Sequence, residues 1–138
     1  MRYRRRLAWR NAGARLWLPL FLALEAEGHA KLGDGDTALR VIAEGLQIAD
    51  ETGERWAIAE ILRIRADLLQ ATGRPSEEVE AALLQSLQIA RQQQARSWEL
   101  RTACDLARLW QQQGRGAEAR WLLQLIRKQF REGFDCAD

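Results

Sequence analysis

The stretch Leu46-Gln47-Ile48-Ala49-Asp50 returns as Leu87-Gln88-Ile89-Ala90-Arg91, 41 residues later. Two further landmarks keep the same step. Gly33, Gly73 and Gly114 each close an apolar pattern of helical period, at spacings of 40 and 41. Trp17, Trp56 and Trp98 each stand near the start of such a pattern, at spacings of 39 and 42. Three independent landmarks with one period mark an internal repeat, and a repeat decides the architecture before any single element does.

Each unit reads as two helices. The first helix of unit one is expected from about Ala14 to Lys31, with a break at Leu32-Gly33-Asp34-Gly35. Asp36 is the expected N-cap of the second, since a carboxylate there accepts from orphan first-turn amides. Leu39, Ile42, Leu46 and Ala49 then share one face, and Gly53 suits the left-handed residue that ends a helix. Unit two runs from about Glu54 to Ala71 and breaks at Thr72-Gly73-Arg74-Pro75, with Ser76 as a further N-cap candidate. Its second helix turns Val79, Leu83, Leu87 and Ala90 inward and runs out near Gln92-Gln93-Gln94. Unit three runs from about Arg96 to Gln113, breaks at Gly114-Arg115-Gly116, and ends on a helix with Ala119, Leu122, Leu123, Ile126 and Phe130 inward. The units are thus 14–53, 54–94 and 95–133, followed by a short tail, within one domain over 13–138. Residues 1–12 form a basic arm that either extends the first helix or is disordered.

Small residues recur at fixed places. Ala26, Ala66 and Ala107 each lie seven residues before a turn glycine, and Ala38, Val79 and Ala119 repeat on the second helices. A small side chain lets paired helices approach, and Leu22, Leu62, Leu69 and Trp110 fill the space between them. Only two prolines, Pro19 and Pro75, interrupt 138 residues. The expected fold is therefore all-α, with about three helix-turn-helix units.

A small residue, a turn glycine, then a small and a large apolar residue resembles the tetratricopeptide repeat. Units near 41 residues exceed its usual 34. The likeness sharpens at Gly13-Ala14-Arg15-Leu16-Trp17-Leu18-Pro19, at Glu51-Thr52-Gly53-Glu54-Arg55-Trp56, and from Arg96-Ser97-Trp98-Glu99-Leu100-Arg101 through Leu106-Ala107-Arg108-Leu109-Trp110 to Glu132-Gly133-Phe134-Asp135. These stretches look like the C-terminal helical-repeat tail of bacterial proteins that join a nucleotide cyclase or transcription-regulator domain to an ATPase module. The resemblance spans residues 13–138 and implies a right-handed solenoid that binds other proteins. It covers the tail alone: no cyclase metal-binding carboxylate motif and no GxxxxGK[ST] phosphate loop occurs.

Composition fits a folded binding domain, with 47% hydrophobic and 29% charged residues and a net charge of +2. Arg2, Arg4, Arg5 and Arg6 crowd the start, and the remainder is slightly acidic, so the folded part is not expected to carry a nucleic-acid face; nucleic-acid binding through the arginine cluster, or its use as an arm on another acidic surface, is an alternative function. Cys104 and Cys136 lack any CxxC or Cys/His neighbour and read as a core residue and a tail thiol. The apolar stretch Leu16–Leu24 is followed by Glu25 and Glu27, which fits neither a signal peptide nor a membrane span. A reducing, cytoplasmic setting is expected.

Catalytic signatures are missing. There is no GxSxG, HExxH or Cys/His pair, and no enzyme, cofactor or metal is expected. His29, the only histidine, reads as a packing or surface residue. Gly33-Asp34-Gly35-Asp36 looks like the start of a calcium loop, but Gly45 stands where that loop needs its glutamate. Trp56, Trp98 and Trp110 read as core; Trp9 and Trp121 read as partly exposed.

The resemblance places a concave groove on the first helices. Counting back from each turn glycine carries its positions onto Glu27, Lys31, Glu60, Arg63, Asp67, Gln70, Arg101, Arg108 and Gln111. Arg63, Arg101 and Arg108 are expected to grip an acidic peptide. Trp121, Phe130 and Phe134 are the expected self-association residues, since no helix follows to cover the last one, and a homodimer or a folded-back tail would cover them. The leading function is a scaffold or adaptor module for a protein or peptide partner. The alternative is a regulatory tail detached from a cyclase- or ATPase-type signalling protein.

Overall fold

The computed structural model describes residues 16–132, with side chains through residue 131. The helices are α1 (Leu18–Lys31), α2 (Gly35–Thr52), α3 (Ile58–Ala71), α4 (Ser76–Gln92), α5 (Arg96–Gln112) and α6 (Gly116–Glu132). No strand occurs among the described residues. Connections of three to five residues leave room only for a reversal, so successive helices run antiparallel.

Four of the five turns use one hydrogen-bond pattern. After α1, α3, α4 and α5 the amide of the last turn residue donates five residues back, as from Asp34 to the His29 carbonyl (3.0 Å) and from Arg115 to the Trp110 carbonyl (2.8 Å). The preceding amide donates three back, as from Gly33 to Ala30 (3.0 Å) and from Gly114 to Gln111 (3.2 Å). This pairing satisfies two orphan carbonyls and requires a left-handed residue. Gly33, Gly73 and Gly114 supply it, with φ of +82°, +71° and +76°. Between α4 and α5 the same place is held by Gln94 at φ +54°, the one described non-glycine residue with positive φ.

Helix starts depart from the expectation. Helix α2 begins two residues earlier than the Asp36 cap implies: Asp34 is the N-cap, and its carboxylate accepts from the Thr37 amide at 3.1 Å. That bond holds the Asp34 carboxyl below its usual range. Pro75, not Ser76, precedes α4, and Ser76 makes no side-chain cap bond. Helix α3 starts at Ile58, four residues later than Glu54, because Glu54–Ala57 form the turn that leads into it.

Each helix packs on its chain neighbours, and in addition α1 packs on α3 and α3 on α5. Helix α3 therefore touches α1, α2, α4 and α5. One apolar cluster joins α1, α2 and α3 through Leu22, Ile42, Ile61 and Ile64. Another joins α3 to α6 through Leu83, Leu106, Leu122 and Ile126. A small one at Ala49, Ile58, Leu62 and Ile89 links α2, α3 and α4. Each fully buried Leu or Ile contributes about 1.5–3 kcal/mol. The small residues Ala26, Ala66 and Ala107 are all buried, as are Ala38, Val79 and Ala119. At Gly45 an added Cβ would stand 3.0 Å from the Pro19 carbonyl oxygen, so glycine sets how closely α1 and α2 approach.

Leu123 is a correction. It was expected inward, yet it is 40% exposed, while Leu122 beside it is buried. No described helix lies beyond α6 to cover it. Phe130 is partly buried against the second cluster.

Candidate interaction surface

Arg63 of α3 is the hub of the polar face shared by α3 and α5. Its Nε and one terminal nitrogen donate to the two oxygens of Glu60, at 3.0 and 2.9 Å. The other terminal nitrogen donates to Asp67 at 3.1 Å and to Asp105 of α5 at 2.9 Å. Glu60 is buried and Arg63 is largely so. The Glu60 hydrogen bonds in particular, with those to Asp105, hold the guanidinium firmly charged. Asp67 is half-exposed; partial burial, then the field of Asp105, pushes its carboxyl above its usual range.

Two more of the expected groove residues join this hub from α5. Arg101 donates to Glu60 at 3.3 Å, and Arg108 donates to Asp105 at 3.0 Å. Both side chains are mostly exposed, at 63% and 74%. Gln70 donates to Gln112 at 3.4 Å across the same helix pair. Glu27 acts on the hub only through its charge near Asp67. Lys31 is exposed at the end of α1 and stands apart. Gln111 is exposed near the end of α5.

The three arginines are thus unequal. Arg63 has its donors committed to carboxylates of its own chain. Arg101 and Arg108 each make one such bond and keep the rest of the guanidinium toward solvent. Asp105 was not among the expected residues, although it lies three before Arg108 and 42 after Arg63.

Among the described residues, the buried side-chain polar atoms on other faces all have hydrogen-bond partners. Ser86 of α4 donates to the Ala59 carbonyl at 2.7 Å; its only proton is thereby used, so it accepts from Thr102 of α5 at 2.8 Å. Glu99, fully buried, accepts from Arg91 at 3.1 Å and Arg96 at 3.3 Å. Glu80 of α4 accepts from the Trp110 indole at 2.9 Å and from Arg115 at 3.0 Å, and Arg115 lies 4.8 Å over the Trp110 ring. Arg115 also holds the Glu118 carboxyl below its usual range.

The landmark tryptophans form a row. Trp17 meets Trp56 edge to face with centroids 4.7 Å apart, and Trp56 lies 6.1 Å from Trp98. The Trp56 indole donates to the Leu16 carbonyl at 3.1 Å. Trp56 and Trp98 are half-buried against the core, and Trp17 is half-exposed. Trp121 is 61% exposed on α6. His29 pairs with Glu25 at 3.4 Å.

A cleft of about 510 Å³ opens between α5 and α6, lined by Cys104, Ala107, Arg108, Gln111, Gly116, Ala119, Arg120 and Leu123. Among the described residues no group of His, Cys, Asp or Glu converges as a metal site, and no helix is long and apolar enough to cross a membrane. The arginines at 2–6, Trp9, Phe134 and Cys136 lie outside the described residues. Compared with known proteins, the chain matches no family model, no curated protein and no solved structure.

Proposed function

We propose that this chain is a tetratricopeptide-type helical repeat that works as a protein-binding module, receiving a peptide or partner helix across the face of α1, α3 and α5. The observation that carries this reading is the row of first helices: α1 packs on α3 and α3 on α5, so their outer sides make one continuous surface. That row follows from the repeat of about 41 residues and its buried alanines at 26, 66 and 107. Arg101 and Arg108 are the groups on this surface best able to hold an acidic ligand, because each has donors to spare. Arg63 serves the surface by fixing its carboxylates.

The test is affinity capture from native lysate with the intact chain as bait, beside the double variant Arg101→Gln, Arg108→Gln. Circular dichroism establishes that both baits are folded. A partner held by the native chain and bound at least tenfold more weakly by the variant supports the reading, since a charge-assisted hydrogen bond is worth about 1.5–3 kcal/mol. A partner held equally by both overturns the assignment to this face.

A further inference from the structure

The cleft between α5 and α6 has counterparts inside the same molecule, and both of those are filled by a helix. Helix α3 packs against both α1 and α2, and α5 packs against both α3 and α4. Among the described residues no helix packs against α5 and α6 in that way. One apolar position per unit records the difference. Ile42, Leu83 and Leu123 stand at equivalent places of α2, α4 and α6, and they are 0%, 2% and 40% exposed. Leu123 is the open member, with no helix over it among the described residues.

The rim states the chemistry of the cover. Helix α4 presents Glu80, which accepts from Trp110 and Arg115 at the end of the helix that fills its cleft. Forty residues on, α6 presents Arg120 at the same place. The sign is reversed. Arg120 is exposed and makes no ion pair with any described residue, and Arg108 rims the opposite side with most of its guanidinium in solvent. The lining holds two guanidinium groups and no carboxylate, over a floor of Ala107, Ala119 and Leu123. A helix placed here as α5 is placed on α4 would set against Arg120 the residue that corresponds to Trp110.

We propose that the α5–α6 cleft receives an amphipathic helix of a partner protein, which carries a carboxylate opposite Arg120 and an apolar stripe over Leu123. This rests on reading the chain as a protein-binding repeat, but it names a second surface that shares Arg108 with the first and has Arg120 and Leu123 as its own determinants. Arg101, which the groove reading needs, does not line the cleft.

The probes are two synthetic 18-residue helical peptides with one leucine-alanine stripe, flanked by glutamates in one and by lysines in the other. The protein is the full chain carrying Cys136→Ser, so that Cys104 in the cleft wall is its only thiol. The glutamate peptide is expected to bind at least tenfold more tightly by fluorescence anisotropy and to slow alkylation of Cys104 at least threefold. Arg120→Glu is expected to abolish or invert the preference, Leu123→Asp to weaken both peptides, and Arg40→Gln, an exposed position of α2 outside both surfaces, to change nothing. Equal binding of the two peptides, or a preference that survives Arg120→Glu, overturns the proposal. So does a native homodimer by light scattering that Leu123→Asp converts to monomer, since the occupant is then a second copy. If Arg101→Gln, Arg108→Gln leaves a captured partner untouched while Arg120→Glu abolishes the peptide preference, the groove reading fails and the cleft stands.

Discussion

Arg63 and Asp67 touch each other, yet they carry opposite expectations. Arg63 neutralises Glu60, which is buried, and holds Asp105 beside it. Arg63→Met removes that charge and leaves Glu60 with only a bond to the exposed Arg101. A loss of about 2–3 kcal/mol is expected in urea unfolding, somewhat less than for a fully buried pair because the network reaches solvent. Asp67 has its folded-state carboxyl raised above its ordinary 3.8, so its charge costs the folded state something. The cost is present above the raised value and vanishes below the ordinary one. Asp67→Asn is therefore expected to be neutral or slightly stabilising at pH 7, within about 0.5 kcal/mol for a half-exposed site. That difference should fade as unfolding is repeated down to pH 3.5. A large loss at neutral pH would show that the bond to Arg63 outweighs the repulsion from Asp105.

Among the elements, the α4–α5 contact turns on one hydroxyl pair. Ser86→Ala deprives the Ala59 carbonyl and the Thr102 hydroxyl of their shared partner, and a cost of about 1–2 kcal/mol is expected. The double variant Ser86→Ala, Thr102→Val should recover part of it, since the stranded hydroxyl is gone; a double variant less stable than the sum of its singles contradicts this account of the pair. The sequence carried the helices plainly, because period, turn glycines and small residues agree at each unit. Their first residues were harder to place. Asp34 and Asp36 bracket Gly35, and either carboxylate can cap; only the backbone decides that the Thr37 amide meets Asp34. Leu123 follows the apolar period correctly, but period reports which face a residue shares and not whether anything lies over it. Asp105 was hidden for a related reason. Groove positions are counted within one helix, whereas its bond to Arg63 crosses from α5 to α3.

For the whole molecule, cohesion is set by how many neighbours each helix has. Helix α3 touches four others, while among the described residues α6 packs extensively on α5 alone. Hydrogen exchange should therefore protect α3 amides most and release α6 first, as local opening follows contact density. Amides of α6 that exchange as slowly as those of α3 would indicate that α6 is covered in solution. Adding the glutamate peptide should slow α6 selectively if the cleft takes a helix.

The tryptophan row has an optical consequence. Trp17 immediately precedes α1, Trp56 precedes α3, and Trp98 lies in the first turn of α5. Indoles at 4.7 and 6.1 Å couple their electronic transitions, and that coupling depends on ring separation and tilt. The near-ultraviolet circular dichroism of this chain is thus a gauge of how the three helices stand against one another, independent of how helical they are. Trp56→Phe, which removes the middle ring, should collapse the coupled band while leaving the far-ultraviolet helix signal in place; an unchanged near-ultraviolet spectrum would mean that the rings do not keep company in solution.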